Sequence, residues 1–157
     1  MKLAELFSSM PFARLLGIEV TRVEDGVAEA RMSLTDEHTS NPTRGVAHGG
    51  VAFALADTVA GAAVVSLIGE PAPTVDMRID YLKPATDDLR ARAEVVRRGN
   101  TSAVVDVTVR QDDGGSEGEG FRAAEGDEVA RVRGVFKLGV EDGAPHDWTL
   151  EGGHDSP

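Results

Sequence analysis

"GVAHGGVAFALADTVAGAAVVSLIG", residues 45–69, decides the fold. From Gly50 to Ile68 nearly every side chain is apolar or tiny, and Gly69, with Pro71 just beyond, ends the run. That punctuation predicts a helix over 50–68, ~28 Å long at 1.5 Å per residue. A helix that is apolar all round must be wrapped, not merely covered on one side. Yet Asp57 sits near its middle and His48-Gly49-Gly50 at its start.

The flanking segments supply the wrapping. "GIEVTRVEDGVAEARMSLTD" reads as two strands around an Asp25-Gly26 turn, with Val27, the alanines and Met32 marking a half-buried second strand. "EHTSNPTRGVAH" is a loop punctuated by Asn-Pro and Gly. "TVDMRIDYL" alternates, placing Val75, Met77, Ile79 and Tyr81 on one face, and Pro84 stops it. "LRARAEVVRRGNTSAVVDVTVRQ" reads as a long hairpin turning at Gly99-Asn100, and "EVARVRGVFKLGV" as a last alternating strand. Two strands, one long helix and four strands predict an α+β architecture. A curved antiparallel sheet of five to six strands wraps around one long central helix, in a single domain over residues 1–140.

The net charge of −11 is local. Residues 112–128 hold seven acids and one arginine, and residues 141–157 hold five acids and no base, so these two segments carry all of it. The first is Gly-rich and expected to form a mobile loop, the second a flexible tail. No basic block is available to track phosphates, which argues against nucleic-acid binding. The chain has no cysteine, which excludes disulfides, thiolate metal sites and cysteine nucleophiles. "MKLAELFSSMPFARLLG" has a short amphipathic look with no signal-peptide cleavage site. The central helix, rich in Gly and Ala and carrying Asp57, is not a clean membrane span. A cytoplasmic protein with no membrane partner is expected.

An ionised carboxylate removed from water without partners costs several kcal/mol. The flanks of Asp57, "FALA" and "TVAGAAVV", offer no polar strip to hold it, which favours a functional carboxylate over a tolerated one. Gly49 and Gly50 leave backbone N–H groups unshielded at the positive end of a helix, suited to a developing oxyanion. A plain glycine-rich helix start is the bland alternative. His48 is open between general base, oxygen ligand and loop anchor. The four histidines, at 38, 48, 146 and 154, lack metal-ligand spacing. No G-x-S-x-G elbow, Walker loop or dinucleotide fingerprint is present.

Gly49 and Asp57 lie ~12 Å apart along one helix. One reacting carbonyl and its attacking water cannot sit within ~3 Å of both. Either one residue is irrelevant or two chains share the site, with the start of one helix facing the middle of another. If both matter, the protein is an obligate homodimer; the expectation extends to a homotetramer built as a dimer of dimers.

"HGGVAFALADTVAGAA", preceded by Asn41 and followed by "TVDMRIDYLKPA", closely resembles hotdog-fold thioesterases of the phenylacetate-pathway (PaaI-like) type, from about Gly17 to Gly139. The resemblance implies hydrolysis of acyl-coenzyme A thioesters without metal or cofactor, coenzyme A being part of the substrate. In that pattern Gly49 offers its N–H to the thioester carbonyl and Asn41 assists by side chain. Asp57 from the partner subunit acts as general base or nucleophile, and Thr74 helps place the water. The spacing from Asn41 to His48 is one residue longer than the family's usual, and the 112–128 segment replaces a short hairpin turn. Arg97 and Arg98, near the hairpin turn, are candidates for coenzyme A phosphate contacts, although exposed arginines usually only solvate a strand. Rival readings are an acyl-CoA-binding hotdog protein without hydrolysis, a hydratase or dehydratase on the same fold, and a purely structural assembly module. The acyl group is open between phenylacetyl, hydroxylated aromatic and medium aliphatic chains.

Overall fold

The computed structural model describes residues 2–112 and 126–139. The central helix, α3, is Gly49–Ile68, after α1 (Leu3–Ser9), α2 (Pro11–Leu16), β1 (Glu19–Glu24), β2 (Val27–Met32), β3 (Thr39–Asn41) and β4 (Val46–Ala47). Four strands follow: β5 (Thr74–Tyr81), β6 (Leu89–Arg98), β7 (Ser102–Gln111) and β8 (Asp127–Lys137). Six strands form one antiparallel sheet in the order β1-β2-β6-β7-β8-β5, and all six touch α3. This is the hotdog architecture, with the sheet curled around the helix.

Small side chains let the strands come close. Leu55, Ala56, Val59, Ala60, Ala62 and Ala63 on α3 are fully buried, against Ala28, Ala91, Ala93 and Val105 of the sheet. The β1–β2 hairpin turns through Asp25 and Gly26, both at positive φ (48° and 78°), the twist that a two-residue hairpin prefers. Its tip docks on the end of α3, where the Gly26 N–H donates to Ser66 Oγ at 2.8 Å. Gly69 closes the helix at φ 72°, its N–H donating to Val65 O.

Four features differ from the sequence reading. By length and mean hydropathy (2.1) α3 does qualify as a candidate membrane span, despite Asp57; its apolarity is explained by burial inside the sheet. The amphipathic N-terminus folds into α1 and α2, which bury Phe7 and Ala13, and Ser8 Oγ accepts the Val20 N–H at 2.9 Å. The loop before α3 holds a 3-10 turn (Asp36–His38) and the short β3–β4 ladder, too brief to show any periodicity. Finally, the acidic 112–128 segment is anchored at both ends. Asp112 pairs with Arg90 at 2.7 Å, Asp127 with Lys83 at 2.8 Å, and Glu128 of β8 with Arg110 of β7 and Arg131 of its own strand. Residues 113–125 and the 141–157 tail lie outside the described residues.

β5 is an edge strand, with no neighbour beyond it among the described residues. Met77 and Ile79 are half-buried against the core, as the alternation predicts, whereas Val75 and Tyr81 are 65% and 55% exposed.

Candidate active site

α3 is not wrapped on every side. Phe53, Ala54, Asp57, Thr58 and Gly61, spaced by three and four residues, form a half-buried strip along it. Asp57 stands on that strip, so the strip the sequence did not reveal does exist. Thr58 takes no part in holding the acid, because its hydroxyl donates to Ala54 O of the preceding turn.

What holds Asp57 is Thr74, whose Oγ1 donates to Asp57 Oδ1 at 2.8 Å. Strand geometry alone would not put it there. Thr74 and Met77 are an odd number of residues apart and would face opposite sides of a regular strand. The ladder to β8 pairs Thr74 with Phe136 and Asp76 with Val135, leaving Val75 as an extra residue. This bulge turns Thr74 onto the helix side, opposite the buried Phe136.

The other end of β5 reaches the start of α3. Tyr81 Oη donates to Gly49 O at 2.8 Å. His48 is the N-cap: its Nδ1 accepts the Gly50 N–H at 2.9 Å, and its carbonyl accepts the Val51 N–H at 2.9 Å. An accepting Nδ1 puts the proton of the neutral imidazole on Nε2. The His48 N–H itself donates to His38 O at 2.8 Å. Gly49, the first helical residue, has no intrahelical acceptor for its N–H, and none is found for it among the described residues. One backbone donor is therefore left free at the positive end of the helix.

An open groove of about 380 Å³ lies at this point, lined by His48, Gly49, Ala52, Tyr81, Lys83 and Val129 among others. A larger groove, about 740 Å³, lies by α2 and the ends of β1 and β2; it contains neither Gly49 nor Asp57. Asp57 lines neither groove; the free Gly49 N–H, with His48 and Tyr81 beside it, places the candidate site at the smaller one.

Asn41 hydrogen-bonds within its own turn, Oδ1 and carbonyl both accepting the Arg44 N–H at 3.2 and 3.1 Å. Its side-chain NH₂ has no partner among the described residues. Arg97 and Arg98 end β6, and Arg98 pairs with Ala103 in the cross-strand row that continues through Phe136 to Thr74. Neither arginine lines the groove at Gly49. The structure thus joins Asp57 to Thr74 and gathers His48 with Gly49, but leaves the two pairs apart within one chain. Tyr81 was read from sequence only as part of an apolar face; the one available signal was a lone tyrosine closing an alternating strand.

The profile of the Thioesterase superfamily matches residues 44–117, the stretch holding Gly49, Asp57 and Thr74. A Halobacterium salinarum protein named as an esterase is 36% identical over 132 residues, covering 81% of this chain and 83% of its own length. The chain belongs to the thioesterase superfamily. The medium/long-chain acyl-CoA thioesterase YigI of Salmonella typhimurium is 30% identical over 120 residues, covering 66% of this chain and 77% of its own. Among solved structures, the Escherichia coli PaaI protein from the phenylacetic acid degradation operon superimposes with TM-score 0.70 at 27% identity, over 85% of this chain and 87% of that one. The superfamily match and the acyl-CoA thioesterase relative support thioester hydrolysis in general.

Proposed function

We propose that the protein is a PaaI-like acyl-CoA thioesterase whose active site is completed by two copies of the chain. The observation that carries this reading is Asp57, presented on the open strip of α3 with one carboxylate oxygen held by Thr74. Oδ2 is then left to face the reaction. Acting as general base, it takes a proton from water, and the resulting hydroxide adds to the thioester carbonyl. As nucleophile, it adds directly and water releases the acyl group afterwards. In either course the oxyanion accepts the free Gly49 N–H, whose stabilisation is largest in the transition state. Collapse breaks the C–S bond and expels coenzyme A as thiolate, which then takes up a proton. The reaction uses no cofactor.

Sharing between chains follows from the separation of ~12 Å along one helix. Two features support it: among the described residues β5 offers an unpaired edge, a natural template for a second strand, and the α3 strip that carries Asp57 is only half covered. A homodimer, and a tetramer as a dimer of dimers, are part of this reading, as is a cytoplasmic location.

The test is a panel of aromatic and aliphatic acyl-CoAs assayed by free-thiol release. Turnover on at least one supports hydrolysis. Binding without turnover would instead mark an acyl-CoA-binding hotdog protein, and hydration of an enoyl-CoA would mark a hydratase.

A further inference from the structure

We propose that Tyr81 is a positioning residue that holds the Gly49 amide in line for the thioester oxygen, an inference that rests on the hydrolytic reading above. Three observations meet at this tyrosine. Its hydroxyl donates to Gly49 O at 2.8 Å, adding a bond to the carbonyl of the same residue whose N–H is free. Its ring lies against the Gly49 α-carbon: a Cβ built there would fall 2.8 Å from Oη and 2.9 Å from Cζ. And it is 55% exposed on an edge strand, where burial contributes little.

Glycine is the residue least restrained by its own backbone. The Gly49 N–H shares a peptide plane with the His48 carbonyl, which accepts the Val51 N–H, so its aim depends on that plane and on how firmly the glycine beyond it is held. Tyr81 grips it on two sides, from the carbonyl and from the face a side chain would occupy. The glycine is thus required by the tyrosine as much as by the substrate. Hydrogen bonds weaken steeply as the donor angle falls below about 120°, so a loosened Gly49 stabilises the oxyanion less while ground-state binding is kept. The same strand holds Asp57 through Thr74 at its other end, so the β5 of each chain sets one half of each of the two shared sites.

Tyr81→Phe keeps the ring and removes the hydroxyl. The expected result is a fall in kcat of about 5- to 30-fold, less than the 10²–10³ for losing an oxyanion donor outright. KM should stay within about twofold and the melting temperature unchanged, with faster hydrogen exchange at the Gly49 amide. Wild-type kcat and unchanged Gly49 exchange in Tyr81→Phe would overturn the proposal. So would a loss explained by a lower melting temperature and a raised KM, the signature of a structural role. An inactive wild type on every acyl-CoA is a separate outcome: it overturns the hydrolytic reading, and this one with it.

Discussion

Thr74 Oγ1 and Asp57 Oδ1 meet at 2.8 Å, tying the start of the edge strand β5 to the middle of the central helix. The bond answers why a carboxylate stands in so apolar a helix: it lies on the side the sheet leaves open and is fixed by a donor from the bulged strand.

Removing that donor while keeping its shape should loosen the acid without unfolding the protein. Thr74→Val is expected to lower kcat by about 10-fold, in the range of a lost hydrogen bond to a charged group. Thr74→Ser should retain most activity. Equal kcat values for the two variants, measured on one acyl-CoA, would show that the bond does not matter to turnover.

Asp57→Asn tests the acid itself. The amide oxygen can still accept from Thr74, so the fold and melting temperature should be kept. Turnover should fall by at least ~10²-fold, the low end for an acid–base group. Undiminished turnover in a folded variant would remove Asp57 from the mechanism.

Glu128 gives a prediction about pH and stability. Hydrogen bonding from Arg131, aided by the charges of Arg131 and Arg110, holds its carboxyl below the ordinary value against a smaller opposing effect of burial. A lowered folded pKa contributes stability above the unfolded value, about 4.3, and that stability is lost as pH falls through the folded value. Glu128→Gln should therefore be less stable than wild type at pH 7, by about 1 kcal/mol or less because Arg131 is largely exposed. In thermal melts the gap should narrow below about pH 4. A gap that is constant from pH 7 to pH 3 would show that the ion pair contributes nothing.

Much of this architecture was legible in the sequence because its signals are periodic. The alternation through Met77 and Ile79, the Asp25-Gly26 turn and the Gly69 stop each correspond to an observed feature. The contacts that complete the site are not periodic. The bulge at Val75 leaves no mark in the residue pattern, and without it Thr74 would be assigned to the wrong face. The strip around Asp57 was invisible for a different reason: Phe53, Ala54 and Gly61 look like core residues, and composition does not distinguish a face covered by the chain's own sheet from one left open. The grip of Tyr81 on Gly49 needs the end of one element to meet the start of another, which no local pattern encodes.

The sharing of the site between two chains is tested most directly by complementation. One inactive variant, Asp57→Asn, lacks the carboxylate. The other, Gly49→Pro, lacks the N–H at the first helical position, where proline is well tolerated. Its Cβ would displace the exposed Tyr81 hydroxyl, a disturbance confined to the same end of the helix, so its dimerisation must first be verified. In a mixed dimer one site collects both defects and the other collects neither. Random pairing makes half the dimers mixed, each with one intact site of two, so co-refolded mixtures should regain up to about a quarter of wild-type activity. Verified heterodimers with no recovery would contradict a shared site, and Gly49 and Asp57 could not both serve one thioester.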